Sequence, residues 1–404
     1  MELRPILSTL LRHKTAAALI VLEIAFSCAI VCNALFLINN RLERMHRPSG
    51  LDESHLVFLR INGISHDAEG NAVTRADLDA LRAIPGVRAV TTINQATFAN
   101  SMWMSSIKLR PDQEDSTMAT TNYMVGEGGL DALGLKLVEG RDFKPDEYRN
   151  ADDNNYPSVI LTRALAAHLF PGASALGKSI YVFGDQPHHV VGIIEHLAKP
   201  RDAGPGAEYD MSMLFPVRFS YMDGGIYAIN VADPARRDAV LDQAKQVLSH
   251  IGPTRIVSVN TSRTLEDLRT RYYRNDRAMA WLLVAVSAAL LVVTALGIIG
   301  LASFWVAQRT RQIGVRRALG ATRAQILRYF QTENFILATV GIVLGMGLAY
   351  AINQLLMSKY ELPRLPLTYL PVGAVLLWAL GQVAVFWPAR RAAAVPPAIA
   401  TRSA

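Results

Sequence analysis

The sequence predicts an α-helical membrane protein with four transmembrane helices and a large bilobed α/β extracytoplasmic domain inserted between helices 1 and 2. Three observations carry that prediction. Of 404 residues, 51% are hydrophobic and 19% charged, too apolar a balance for a soluble enzyme of this length. Residues 278–308, 334–358 and 365–389 carry no charge, and 15–40 carry only Glu23; a bilayer takes roughly 20 apolar residues to cross as a helix. Between the second and third runs lies RTRQIGVRRALGATRAQILR, with six arginines and no acid. A short basic connection of this kind belongs on the cytoplasmic side.

Taken in order, residues 1–14 place Leu3, Ile6, Leu7, Leu10 and Leu11 at helical spacing beside Arg4 and Arg12, the pattern of an interfacial amphipathic helix. Span 1 follows at 15–40. It is of full span length and lacks a small-residue cleavage site, so it reads as a span and not a signal peptide. Residues 41–277 form the extracytoplasmic domain. Within it, 56–61 reads as a strand, 74–84 as a helix capped by Thr74, and 87–93 as a strand after the Pro85-Gly86 break. A second strand–helix–strand unit occupies 226–231, 233–251 and 255–259. A turn-rich lobe, about 96–220, separates the two units, with short strands around Val159, Ile180 and Val190. The expected lobes are therefore about 41–95 with 221–264, and 96–220.

Residues 265–277 are charged and helical in period, and no Gly or Pro separates them from span 2 at 278–308. One uninterrupted, stiff stalk is expected there. The segment 309–330 follows. Gly320 ends its first helix, and Thr322 with Gln325 fits a capping box opening the next. Span 3 is placed at 331–358, a short loop at 359–368, span 4 at 369–388 and a tail at 389–404. Both termini then lie inside, where Arg4, Arg12, Lys14, Arg390 and Arg391 also fall.

The net charge of +7 is concentrated beside the spans, and the inserted segment is net acidic. The basicity is an orientation signal with a share for anionic lipid, and nucleic acid is not an expected partner. Both cysteines, Cys28 and Cys32, lie in span 1, so the large domain holds itself together without disulfides.

Several patterns invite chemical readings. Residues 172–179 satisfy GxxxxGK[ST], but a phosphate-cradling loop needs a strand before it and a helix after it. Here the order is reversed, and the segment reads as a turn. His188 and His189 with Glu195 and His196 suggest a metal, yet adjacent strand residues face opposite ways. No nucleophile–base constellation emerges, so no catalytic residue, cofactor or metal is expected. Glu23 is a polar group deep in a span and Glu333 lies at the start of span 3, within reach of water or an arginine. Gly297, Gly300, Gly341 and Gly345 allow close helix approach, inside one subunit or between two.

The segment QRTRQIGVRRALGATRAQILRYF resembles the cytoplasmic segment of MacB- and FtsX-type ABC transporter permeases. GLDALGLKLVEGRDF (129–143), SVILTRALAAHLF, LGKSIYV and HHVVGII (158–194) resemble the MacB-type periplasmic domain, and PARRAAAVPPAIA resembles the family's cytoplasmic end. The resemblance implies a porter-like lobe with an inserted smaller lobe, a permease dimer (identical or paralogous copies), and an inner-membrane location. It further implies that Arg309, Ile313, Gly314, Val315, Arg316, Arg317, Leu319 and Gly320 dock an ATPase subunit. MacB carries its ATPase ahead of the first span, whereas this sequence begins almost at the membrane, so a separate ATPase polypeptide is expected. The implied function is efflux of antibiotics, peptides or lipid-like substrates from the periplasm or outer leaflet, with a periplasmic adaptor and outer-membrane channel as further partners. Alternatives are a lipoprotein-releasing LolC/LolE-like permease, a transmembrane receptor, or a regulator of a periplasmic hydrolase.

Overall fold

The computed structural model describes residues 14–63, 70–99, 102–201, 206–220, 224–252, 254–258, 262–360 and 364–394. The amphipathic helix expected over the first 13 residues and the end of the tail lie outside them. The chain divides into two compact units, residues 1–45 with 275–404, and residues 46–274.

In the first unit four helices are long and apolar enough to cross a membrane: α1 (Lys14–His46), α7 (Arg274–Gln308), α9 (Arg323–Tyr360) and α10 (Tyr369–Ala394). Their apolar composition leaves intrahelical bonding as the way to satisfy every backbone group in lipid. Small side chains bring them together. A Cβ at Gly341 would stand 2.9 Å from Ile24 of α1, and one at Gly345 would stand 2.5 Å from the Cβ of Cys28. The GxxxG pair thus packs within the chain. Gly300 faces open space. Ala, Cys and Ile residues of α1 share a continuous buried cluster with the other three helices.

The second unit is built on the strands β1 (Leu56–Gly63), β2 (Val87–Ile93), β3 (Met104–Ile107), β4 (Met118–Val125), β5 (Leu137–Gly140), β6 (Ser158–Thr162), β7 (His188–Ile194), β8 (Ser212–Arg218), β9 (Gly225–Val231) and β10 (Arg255–Val257). Its helices are α2 (Gly70–Arg82), α3 (Gly129–Leu133), α4 (Arg163–Leu169), α5 (Arg237–His250) and α6 (Leu265–Tyr272). The main path of the sheet runs β10-β1-β9-β2-β4-β8-β6-β7-β5. In its first four strands each neighbour is antiparallel, so β1-α2-β2 and β9-α5-β10 are interleaved split βαβ units. Leu81, Val240, Leu241, Ala244 and Leu248 of the two helices cover Val57, Leu59, Tyr227 and Ile229 of the strands.

The inserted lobe has its own core around Tyr156, Leu161, Leu165, Met213 and Phe215. The two halves of the sheet meet through one residue pair, Ile93 with Val125. Two cores on one nearly divided sheet are the physical form of the two lobes.

Two local expectations are corrected. In the first strand–helix–strand unit α2 spans Gly70–Arg82, and Thr74 is no cap: its hydroxyl bonds back to the Gly70 carbonyl at 3.0 Å, as a threonine does inside a helix. Nor is the stalk one helix. α6 ends with Tyr273 as its C-cap (φ −88°, ψ 10°), and α7 starts afresh at Arg274. The interrupting residue is neither Gly nor Pro, so composition gave no sign of it.

Candidate coupling site between the second and third spans

Helix α8 (Thr310–Ala318) fills the connection between α7 and α9. Gly320, at φ +97°, turns the chain out of it, a conformation that costs glycine nothing. The Ala321 N–H returns to the Arg316 carbonyl at 3.0 Å and the Gly320 N–H to Arg317 at 3.1 Å, closing the last turn. Thr322 then opens α9. Its N–H donates to Gln325 Oε1 at 2.8 Å, and the Gln325 N–H donates to Thr322 Oγ1 at 3.3 Å, the reciprocal capping box read from the sequence.

The helix has two faces. Ile313 and Gly314 are buried, Ile313 within the span core beside Trp305 and Phe330. Arg309, at its N-terminal boundary, is buried too. Its Nη1 donates to both carboxylate oxygens of Glu333, at 2.9 and 3.1 Å, and its guanidinium lies 5.5 Å from the Trp305 ring. A buried charge needs such a partner, since desolvating either group alone is costly. Arg317 reaches inward to donate to the Ala393 carbonyl at 3.0 Å, at the end of α10 where helix carbonyls have no intrahelical donor. Outward stand Val315 (45% exposed), Leu319 (83% exposed), Arg316 and Gly320. Arg316 lies over the Tyr329 ring at 5.0 Å.

Of the eight residues expected at a docking surface, the structure therefore exposes four and turns Arg309, Ile313, Gly314 and Arg317 inward. The arginine at 309 was legible as a charge but not as a buried one. Its signal was Glu333, one of two acids in the four spans.

Comparison with known proteins places these features. Residues 17–247 match the MacB-like periplasmic core domain, and residues 284–397 match the FtsX-like permease C-terminal domain. The chain belongs to the MacB/FtsX-like family of ABC transporter permeases. It is 24% identical to the ABC transporter permease YknZ of Bacillus subtilis, over 99% of this chain and 98% of that one. It is also 24% identical to the macrolide export ATP-binding/permease protein MacB of Acinetobacter baylyi, over 96% of this chain and 57% of that one. The permease thus spans little more than half the length of that MacB relative. The extracellular domain of YknZ from Gram-positive bacteria matches half of this chain at 17% identity and a TM-score of 0.32.

The other residues singled out in this permease occupy separate places. Glu23 lies against α7, where a Cβ at Gly297 would come within 2.5 Å of its carboxylate. Polar pairs that the sequence reading missed also tie α1 to its neighbours: Ser27 meets Thr294 of α7 hydroxyl to hydroxyl at 2.7 Å, and Asn33 donates to the Ala349 carbonyl of α9 at 3.1 Å. Lone polar residues in apolar spans were their signal. Cys28 and Cys32 are buried free thiols 4.0 Å apart.

In the inserted domain the GxxxxGK[ST] segment is a turn between α4 and a short strand. The Gly177 N–H is spent on the Val190 carbonyl at 2.9 Å and the Lys178 N–H on Ala175 at 3.1 Å, leaving them no phosphate to cradle. His188 points into the core and donates to the Tyr156 carbonyl at 2.5 Å, while His189 faces out to Ser179. Glu195 pairs with Lys136, and His196 with Asp210. Burial pushes the Asp210 carboxyl up, against the hydrogen bond from His196. These four side chains make separate contacts and form no common site.

Proposed function

We propose that this chain is the permease subunit of a MacB-like ABC transporter, carrying ATP-driven movement from a separate cytoplasmic ATPase subunit to the inserted α/β domain. The observation behind it is the two-faced build of α8. Arg309, Ile313, Gly314 and Arg317 tie one face to the spans, and Val315, Arg316, Leu319 and Gly320 are exposed on the other. A force-transmitting contact needs both properties: a partner must reach it, and it must not move without the spans. The docking set narrows to the four outward residues.

The six arginines support a cytoplasmic α8, a periplasmic inserted domain, and both termini on the cytoplasmic side of the inner membrane. ATP chemistry belongs to the partner, and a second permease, identical or paralogous, completes the dimer. The macrolide-export name of a relative supports an antibiotic cargo; we extend the proposal to peptides or lipid-like molecules taken from the periplasm or outer leaflet and handed to an adaptor and outer-membrane channel.

The test is co-expression of the tagged chain with ATPases encoded beside it, purification in mild detergent, and assay of hydrolysis. The wild type should retain an ATPase, and Val315→Asp with Leu319→Asp should lose it. Both side chains are exposed, so the permease itself should purify unchanged. A wild type that retains no ATPase and stimulates no hydrolysis would remove the coupling reading and favour a receptor.

A further inference from the structure

Where the two halves of the sheet part, beyond the single Ile93–Val125 pair, the inserted domain opens a cleft of about 510 Å³. That volume falls within the range of roughly 300–1,000 Å³ typical of small-molecule sites. One wall is the end of β1 with the ends of β2 and β9. The other comprises Ala151, Asp152, Asn154, Phe219 and Ser220, with Trp103 and Met124.

The polar groups of the wall divide into two sets. Some are already satisfied: Tyr227 donates to the buried Asp77 at 2.6 Å, Asp77 is in turn held by Arg255 at 2.6 Å, and the Asn94 amide bonds to the backbone of Asn122 and Met124. These fix the shape. The side chains of Arg60, Asn62, Asp152 and Asn154 are exposed, with no hydrogen bond or ion pair to one another or to any other described residue. Arg60 is on one wall and Asp152 on the other. Trp103, 59% exposed, adds a bare aromatic surface beside Phe219 and Tyr227.

The geometry points to this cleft as a binding site for a small zwitterionic amphiphile. Its anionic group meets Arg60, its ammonium meets Asp152, and its apolar body lies against Trp103 and Phe219. An arginine favours a planar carboxylate or a phosphate, and an aromatic surface takes an apolar body without demanding a hydrogen bond. Two sources share this chemistry: a short hydrophobic peptide with free termini, and a zwitterionic phospholipid. The site concerns the inserted domain alone and goes beyond the coupling reading, so it stands or falls without an ATPase.

The experiment uses the full chain in phosphatidylglycerol nanodiscs and calorimetric titration with two probes, the tripeptide Leu-Phe-Leu and dihexanoyl phosphatidylethanolamine. At least one should bind saturably. Arg60→Ala and Asp152→Asn should each weaken it by about tenfold, the usual scale of one charge-assisted bond. If the tripeptide binds, amidating its carboxylate should cost as much as Arg60→Ala, and the two losses should not add. Trp103 is the one tryptophan outside the spans, so binding should change its emission and Trp103→Phe should abolish that change. Saturable binding to neither probe, or binding indifferent to Arg60 and Asp152, overturns the site.

Discussion

At the scale of single residues, the glycines of the spans separate into those a side chain would disturb and those it would not. A Cβ at Gly345 would meet Cys28 and the Ala25 carbonyl at 2.5 and 2.7 Å, whereas at Gly300 or Gly347 it would meet nothing within 4 Å. Gly345→Ala should therefore destabilise the span bundle by about 1–3 kcal/mol, the usual cost of overpacking, and Gly300→Ala should not. Thermal unfolding in detergent, compared across the three glycines, checks this. His188 offers a second case. It is fully buried among Phe183, Phe215 and Tyr156, its Nε2 has no partner among the described residues, and burial holds its imidazole below the ordinary histidine range. The unfolded chain then binds the proton more readily than the folded one. Stability is full above the unfolded value of about 6.5 and is lost as pH falls through it. The melting temperature of the wild type should fall between about pH 7.5 and about pH 5.5, and His188→Phe should flatten that slope.

At the scale of elements, α8 depends on the Arg309–Glu333 pair more than on its own helix propensity, being only nine residues long. Removing one partner of a buried pair leaves the other charged and unpaired, at a cost of about 3–5 kcal/mol. Glu333→Gln should accordingly loosen α8, read as faster amide exchange over residues 310–318, with the outward side chains Val315 and Leu319 unaltered in identity. Restored protection in the exchanged pair Arg309→Glu with Glu333→Arg would show that the pairing matters, not either residue alone. The helix, its glycine stop and its capping box were legible because each rests on local chemistry, a matter of residues three or four apart. That Arg309 and Arg317 turn inward was not, because it depends on an acid 24 residues away and a carbonyl 76 residues away, each on another helix. The break at Tyr273 was hidden for the opposite reason: nothing in its composition forbids a helix.

For the whole molecule, the spans and both split βαβ units could be read from periodicity alone, since an apolar run or an alternating strand announces itself within ten to thirty residues. Their assembly could not. The order β10-β1-β9-β2 pairs strands from opposite ends of the domain, and the sheet passes from one lobe to the other through the Ile93–Val125 pair. Two separate cores on one sheet should open as separate cooperative units. Native-state hydrogen exchange should give one free energy for amides in β1 and β9 and another for those in β6 and β8; a single shared value would show that the lobes unfold together.

The two cysteines of α1 bear on how such motions can be watched. They are the only thiols in the chain, and both are fully buried. A cysteine introduced at Leu319 or Asn62 would be the one sulfur open to a maleimide dye or spin label. The natural protein thus serves as its own silent background for labelling, and distances between chosen points can be followed in an otherwise unaltered membrane domain.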